Sequence, residues 1–227
     1  MKVVVTGANR GIGLGLTQRY LEEGEQVFAL CRTPGDAPKL RELESRYHGR
    51  LVIGRIDLGD KASIDEAAAL VGDQLDILIN NAGILGGSDQ SLAGVDPDEW
   101  LRALDVIALG PFRVSRAFLP ALRRSAGKIV FISSHIASSS WHTGGFYAYA
   151  SGKAALNRIV RALARDVAAD GIRTVAVHPG HVQTDLAAPG AKMTPAESAE
   201  GIFRLVSRLD DQMSGGFYKW NGEPHPF

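Results

Sequence analysis

The 227-residue sequence has a single cysteine, no surplus of either charge and no long apolar run. The lone Cys31 excludes an intrachain disulfide framework and is compatible with a reducing cytoplasm. Because 25 Lys and Arg residues balance 25 Asp and Glu residues, nothing in the charge indicates nucleic acid or an anionic membrane as a partner. The apolar start turns glycine-rich after residue 5, too early for a signal peptide. The composition predicts a soluble, cytoplasmic protein.

Clusters of metal ligands are also missing from the sequence. His135, His142, His178 and His181 have no carboxylate or cysteine partners at ligand spacing. We interpret these histidines as solvated or supporting residues and predict no metal site.

Short apolar, β-branched runs are present throughout and alternate with longer segments of helical spacing. Continuous apolar runs are typical of strands that helices cover on both faces. The pattern predicts an α/β fold with one domain over residues 1–227 and a doubly wound parallel sheet of about seven strands. Right-handed crossovers place a ligand crevice at the carboxyl ends of the strands. The predicted strands are 2–5, 26–30, 51–55, 75–79, 128–132 and 172–177, and the predicted helices are 17–23, 61–71, 97–124 and 149–169.

A glycine-rich stretch, TGANRGIG, directly follows the first predicted strand and contains Gly7, Gly11 and Gly13. One glycine permits a tight turn, another lets the backbone approach a pyrophosphate, and the following helix N-terminus offers unpaired N–H groups. We interpret the stretch as a dinucleotide-binding turn; the alternative is a plain turn from strand to helix.

The end of the second predicted strand distinguishes NAD from NADP. A carboxylate there would accept hydrogen bonds from the ribose and select NAD. The stretch FALCRT instead ends near Arg32, with no acid before Asp36, and Arg10 lies in the glycine turn. Two guanidinium groups suit a 2′-phosphate, although two solvated surface arginines are the alternative. The sequence therefore favours NADP(H) over NAD(H).

The stretch YAYASGKAALN places two tyrosines and a lysine at the start of a predicted helix. Tyr149 and Lys153 are four residues apart and share a face, whereas Tyr147 points away. A neighbouring ammonium lowers the pKa of a phenol towards the range in which it exchanges a proton at neutral pH. Ser133 or Ser134, at the end of the fifth strand, could hold a substrate carbonyl; a turn or capping role is the alternative for Ser134.

Taken together, these motifs resemble the short-chain dehydrogenase/reductase family over nearly the whole chain. The matching stretches are TGANRGIG, DL, NNAG, SS, Tyr-x-x-x-Lys and HPGHVQTD, in family order. The tyrosine helix and the ending GGFYKWNGEPHPF look most like a compact carbonyl-reductase-like subgroup. The resemblance implies a Rossmann-type fold, NAD(P)-dependent interconversion of carbonyls and alcohols, and Ser134, Tyr149 and Lys153 as catalytic residues.

The resemblance also implies a set of cofactor-binding residues. Asp57 would touch the adenine, residues 81–83 would line the adenosine side, and Lys153 would hold the nicotinamide ribose. Pro179, Gly180 and Thr184 would frame the carboxamide. The complete set is Gly7, Asn9, Arg10, Gly11, Ile12, Gly13, Arg32, Asp57, Leu58, Asn81, Ala82, Gly83, Tyr149, Lys153, Pro179, Gly180, Val182 and Thr184.

Two positions depart from the family pattern. The family has an asparagine three residues before the glycine of an N-x-x-G motif, where it holds a water in a proton relay; here Ile107 precedes Gly110, and isoleucine cannot bind water. Asp105 lies about 200° round the helix from that position and is a poor substitute. Ser134 precedes Tyr149 by fifteen residues, where the family more commonly has thirteen.

Two hypotheses follow from these observations. The first is an NADPH-dependent reductase of aldehydes or ketones, with a short substrate loop near residues 181–194 and an open site for small or varied carbonyls. The second, motivated by Ile107, is an NADP(H)-binding sensor or signalling protein with weakened catalysis. Helices in this family pair across a two-fold axis, so the resemblance also implies a homodimer or homotetramer.

Overall fold

The computed structural model describes residues 1–187 and 190–227. The strands are β1 (Lys2–Thr6), β2 (Gln26–Cys31), β3 (Leu51–Arg55), β4 (Ile77–Asn80), β5 (Lys128–Ile132), β6 (Arg173–His178) and β7 (Gly216–Lys219). The helices are α1 (Gly11–Glu22), α2 (Pro38–Arg46), α3 (Lys61–Val71), α4 (Pro97–Leu104), α5 (Gly110–Arg123), α6 (Tyr147–Asp166) and α7 (Pro195–Ser207).

The seven strands form one parallel sheet in the order β3-β2-β1-β4-β5-β6-β7. Neighbouring side chains of a strand point to opposite faces, and in β1 both faces are buried. Val3 and Val5 join a core with α1, α2 and α7, while Val4 joins a second core with α3, α5 and α6. This two-sided burial confirms the predicted α/β class and the doubly wound parallel sheet.

The strand order reverses between β1 and β4, which leaves a crevice at their carboxyl ends. On one side of β1 lie β2 and then β3, which forms one edge of the sheet. On the other side lie β4, β5, β6 and finally β7, which forms the opposite edge. Loops that follow β1 and β4 therefore meet at one edge of the sheet. The predicted ligand crevice lies at this edge.

The boundaries of several elements differ from the prediction. Helix α1 begins at Gly11, six residues before the predicted start, because tertiary packing supports a glycine-rich first turn that propensity disfavours. Helix α6 begins at Tyr147 and ends at Asp166. Helices α2 and α7 and the four-residue β7 were not predicted. Helix α2 spans nine residues and β7 four, so each carries little periodic signal. Helix α7 spans 13 residues and begins with a capping box of Thr194 and Glu197, a local signal that the prediction missed.

The predicted single helix over residues 97–124 is interrupted. A π-helical turn, Asp105–Leu109, separates α4 from α5. Pro111, which follows Gly110, has no N–H to donate to a preceding carbonyl, so regular α-helical bonding is lost there. Single π turns inside helices are frequent at functional sites. Residue 107 lies within this turn.

None of the helices in the described ranges combines the length and the apolar character needed to cross a bilayer.

Candidate active site

A cavity of about 1000 Å³ opens at the carboxyl ends of the strands. Nearly all of the predicted site residues line this cavity, although they come from distant parts of the chain. Gly13 is the exception. The predicted residues on the cavity wall are Gly7, Asn9, Arg10, Gly11, Ile12, Arg32, Asp57, Leu58, Asn81, Ala82, Gly83, Ser134, Tyr149, Lys153, Pro179, Gly180, Val182 and Thr184.

The glycine turn between β1 and α1 needs its glycines for two different reasons. Gly7 and Gly11 have φ angles of +66° and +53°, which side chains with a Cβ rarely adopt. Gly13 has ordinary φ, but a Cβ there would lie 2.3 Å from the Gly7 carbonyl oxygen. Gly13 therefore lets α1 pack closely beneath the turn.

Asn81 fastens this turn to the end of β4. Its side-chain amide donates hydrogen bonds to the carbonyls of Thr6 (2.9 Å) and Gly7 (3.2 Å). In return, the Thr6 hydroxyl accepts from the backbone N–H groups of Asn81 (3.0 Å) and Ala82 (3.1 Å). Asn81 and Ala82, which are predicted to line the adenosine side of the cofactor site, thus also connect the loop after β4 to the loop after β1.

Three cationic side chains line the cavity: Arg10 in the glycine turn, Arg32 directly after β2 and Lys39 in α2. Arg10 forms an exposed ion pair with Asp185, in the loop after β6. The two groups are 175 positions apart along the chain, so no local sequence pattern predicts this pairing. A phosphate bound by Arg10 would compete with Asp185. Among the residues that the structure describes, no carboxylate forms an ion pair with Arg32 or Lys39.

Asp57 and Leu58 form the wall that follows β3. The Asp57 carboxylate accepts a hydrogen bond from the Gly59 N–H (3.0 Å), and the Asp57 N–H donates to the Ser63 hydroxyl (2.9 Å). These contacts hold the turn before α3 in place. The adenine contact predicted for Asp57 stays a prediction.

The loop after β6 closes against the glycine turn and then against α7. Val182 forms a bridge with Met193, and a Cβ on Gly11 would lie 3.1 Å from the Thr184 methyl group. The Ser198 hydroxyl donates to the Pro179 carbonyl (2.7 Å). Pro189, predicted to belong to this loop, lies outside the described residues. Residues 179–184 all line the cavity.

Tyr149, Ser134 and Lys153 meet on the wall of the same cavity. The Tyr149 hydroxyl shares a hydrogen bond with the Ser134 hydroxyl, and the Lys153 Nζ lies 5.7 Å from the centre of the Tyr149 ring. Burial raises the pKa of Tyr149 to about 12, and the bond to Ser134 opposes this shift. The residue as a whole is half-buried.

The hydrogen-bond partners of Ser133 and Ser134 distinguish the two serines. Ser133 is 1% exposed and its hydroxyl donates to the Asn157 side-chain oxygen (2.7 Å). The Ser134 hydroxyl faces Tyr149. Of the two serines left open by the sequence, Ser134 is the one beside the phenol.

Lys153 is buried on the cavity wall, with 4% of its surface exposed. Its ammonium donates to the Ile132 carbonyl at the end of β5 (2.6 Å). Burial lowers the pKa of Lys153 to about 8, because removal from water disfavours the charged form. One carbonyl satisfies one of its three donors, so the ammonium retains capacity for a ligand in the cavity.

Gln90 positions the start of α6, and sequence reasoning missed it. The residue before the helix, Phe146, provides no side-chain cap. Instead the buried Gln90 accepts a hydrogen bond from the Tyr149 N–H (3.0 Å) and donates to the Leu85 carbonyl (2.8 Å). A long-range cap of this kind leaves no local sequence signal.

Ile107 occupies the family's relay position and is fully buried. It packs with Ala103, Ala148 and Tyr149, and a Cβ added to Gly152 would lie 3.1 Å from its own Cβ. This close approach accounts for the helical glycine, since the methyl group of an alanine would crowd Ile107. Asp105 instead pairs with Arg113 (2.5 Å).

Imidazole rings extend from Ser134 towards the surface. His135 lies 5.0 Å from His178, which lies 5.7 Å from His225, measured between ring centres. Burial is the main cause that lowers the pKa of His135 and brings that of His178 to about 3. The His135 and His178 imidazoles are therefore neutral at pH 7. Within residues 1–187 and 190–227, no group of three or more His, Cys, Asp or Glu could hold a metal ion.

Comparison with known proteins gives several extensive similarities. The C-signal protein of Myxococcus xanthus is 39% identical over 155 residues, which cover 67% of this chain and 93% of that protein. The NADPH-bound carbonyl reductase from chicken fatty liver has 35% identity and a TM-score of 0.93, covering 100% of this chain and 98% of the other. The carbonyl reductase Sniffer of D. melanogaster has 31% identity and a TM-score of 0.94, covering 100% and 99%.

A profile of the short chain dehydrogenase family matches residues 1–194. That range contains the glycine turn, the tyrosine–lysine pair and the loop between β6 and α7. The profile, the fold and the extensive similarities agree with the resemblance drawn from the motifs. The chain belongs to the short-chain dehydrogenase/reductase family and is an oxidoreductase of the carbonyl-reductase-like type.

Proposed function

We propose that this protein is an NADPH-dependent reductase of aldehydes or ketones. The observation that carries the proposal is the meeting of Ser134, Tyr149 and Lys153 on the wall of a cavity that also contains the glycine turn. The Gly7 and Gly11 backbone and the start of α1 offer N–H groups to a pyrophosphate. When bound, the dinucleotide supplies the hydride.

The roles of the side chains follow from their hydrogen bonds. Ser134 donates to the carbonyl oxygen of the substrate and holds it beside Tyr149. Tyr149 then transfers its phenolic proton to that oxygen as negative charge develops there. The Lys153 ammonium stabilises the resulting phenolate, which burial alone would disfavour. Gln90 fixes the backbone from which Tyr149 projects.

The proposal is tested by following NADPH oxidation at 340 nm with a panel of uncharged aldehydes and ketones. We expect turnover that depends on both NADPH and the carbonyl compound. Binding of NADPH without oxidation by any member of the panel would contradict the proposed activity.

The cations on the β2 side support NADP(H) over NAD(H). We predict that Arg32→Glu raises the KM for NADPH about 10- to 100-fold, since it replaces a charge-assisted bond to the 2′-phosphate by repulsion. The KM for NADH, which lacks that phosphate, should change little or fall. Steady-state kinetics with both cofactors measures the ratio. Arg158→Glu, an exposed change on α6 away from the cavity, is the matched control, and equal effects on both cofactors would exclude the role.

A second candidate function is an NADP(H)-binding sensor or signalling protein. Two observations favour it: Ile107 fills the relay position with hydrocarbon, and the chain is similar to the C-signal protein. In this second function the protein binds NADP(H), but hydride transfer to a carbonyl compound is slow.

The substitution Ile107→Asn separates the two candidates. If a missing relay limits turnover, the variant should raise kcat. It should also lower the free energy of unfolding by about 1–3 kcal/mol, because the amide enters an apolar cluster. Both quantities are measured, by NADPH oxidation and by urea unfolding. A destabilised variant with unchanged kcat would show that the relay position does not limit the reaction, and Ile107→Val controls for the packing change.

We also propose a homodimer or homotetramer formed through α4 and α5. Leu101 in α4 is 65% exposed and Leu109, in the π-helical turn directly before α5, is 47% exposed. Exposed apolar side chains favour association. Light scattering coupled to size-exclusion chromatography determines the mass in solution.

A further inference from the structure

Phe146 occupies an unusual backbone conformation beside the candidate active site. Its φ and ψ angles are 54° and 31°, in the left-handed region that a Cβ disfavours. Among the described residues, only Ala126 shares this property without being glycine, and Ala126 does not line the cavity. Glycine would adopt this conformation without strain. Strained residues cluster where surrounding structure holds them for a purpose.

The Phe146 ring gains little from the protein interior. It is 41% exposed, yet it lies on the cavity wall three residues before Tyr149. Strain combined with exposure is unfavourable for stability. The residue is therefore better explained by a contact with a molecule that enters the cavity.

Trp141 presents a second exposed ring to the same cavity. It is 45% exposed, and its ring lies edge-on to His135 with 4.4 Å between centres. The turn before it is fixed by a bond from the Trp141 N–H to the Ser138 carbonyl (3.0 Å) and by paired hydroxyls of Ser138 and Ser140 (2.7 Å). The indole therefore has a defined position. His135 directly follows Ser134, so these rings lie close to the proton donor.

We call His135, Trp141 and Phe146 the aromatic wall. The loop that carries them, residues 134–146, contains no Asp, Glu, Lys or Arg. Burial lowers the pKa of His135, so the imidazole adds no charge at pH 7. A charged substrate group against this wall would lose water without gaining a partner. A flat, uncharged aromatic ring would stack or pack edge-to-face.

We infer that the substrate is an uncharged aryl aldehyde or aryl ketone whose ring packs against the aromatic wall. The inference rests on the proposed reductase function and names its substrate class. The carbonyl carbon gains the hydride of NADPH and the oxygen gains the proton of Tyr149. The products are an aryl alcohol and NADP⁺, and Tyr149 recovers its proton from solvent.

Three aldehydes test the inference: benzaldehyde, cyclohexanecarbaldehyde of the same carbon skeleton, and anionic 4-carboxybenzaldehyde. We expect the wild-type kcat/KM to be highest for benzaldehyde. Trp141→Ala and Phe146→Gly should each lower that value about 5- to 10-fold, and should lower the value for cyclohexanecarbaldehyde less, because the aliphatic ring loses apolar contact but no ring stacking. Because glycine relieves the strain at residue 146, the melting temperature of Phe146→Gly should stay level or rise. Activity loss then cannot come from unfolding.

Leu70→Ala removes an exposed apolar side chain outside the cavity and is the control, with wild-type kinetics expected for all three aldehydes. Equal losses for benzaldehyde and cyclohexanecarbaldehyde in the wall variants would overturn the inference, as would a wild type that prefers neither. Turnover without aromatic preference would leave the reductase function intact. If no aldehyde supports NADPH oxidation, both the function and the inference fail.

Discussion

Tyr149→Phe should lower kcat for carbonyl reduction roughly 10²- to 10⁴-fold, the range that a positioned general acid contributes. The substitution removes one oxygen and keeps the ring that packs with Ile107. Its Gln90 contact uses the backbone N–H and is also retained. The fold and the affinity for NADPH should therefore be unchanged, as fluorescence titration of the cofactor would measure.

Tyr147→Phe provides the matched control, because it removes the same atom two residues earlier in the same helix. The Tyr147 ring packs near Trp100, with 5.8 Å between centres, and does not line the cavity. We expect wild-type kcat for this variant. Equal rates for Tyr149→Phe and the wild type would refute the proton-donor role, and equal losses in both variants would point to the helix rather than to the hydroxyl.

Lys153→Met should make the protein more stable and nearly inactive. The Lys153 pKa falls from 10.5 to about 8 on folding, which corresponds to a cost of roughly 3 kcal/mol for the buried ammonium. Methionine avoids this cost but leaves the Ile132 carbonyl without its donor, which returns about 1–2 kcal/mol. The net gain in the free energy of unfolding should be about 1–2 kcal/mol near pH 7.

The pH dependence gives this prediction a clear sign. Between pH 8 and 10.5 the unfolded chain binds more protons at Lys153 than the folded chain, so raising the pH stabilises the wild type. The advantage of Lys153→Met is therefore fully present below pH 8 and disappears as the pH approaches 10.5. Urea unfolding at several pH values measures it. Lys192→Met, an exposed site, should show no such trend, and a destabilised Lys153→Met at pH 7 would contradict the account.

The features that the sequence predicted well depend on short-range geometry. Residues four apart in a helix share a face, so the Tyr149–Lys153 pair could be inferred without coordinates. Glycines after a buried strand likewise predict a turn at the sheet edge. The two-sided apolar strands predicted the parallel sheet, which the structure confirms. The fold brings the predicted site residues to one cavity. The roles of these residues remain predictions.

The features that were missed depend on contacts between distant segments. The Arg10–Asp185 ion pair and the Gln90 cap on α6 join residues far apart in sequence. The left-handed Phe146 has no local signal beyond the two glycines before it. Helix propensity also could not explain Gly152. The space for a side chain at residue 152 is limited by Ile107, which belongs to another helical segment.

Transfer of deuterium from NADPH labelled at the nicotinamide C4 tests the central claim most directly. The account predicts that wild-type protein delivers deuterium to the carbonyl carbon of benzaldehyde, detected as benzyl alcohol one mass unit heavier. Tyr149→Phe should bind the labelled cofactor equally well and form almost none of this product. Equal yields of deuterated alcohol from the two proteins would contradict the account.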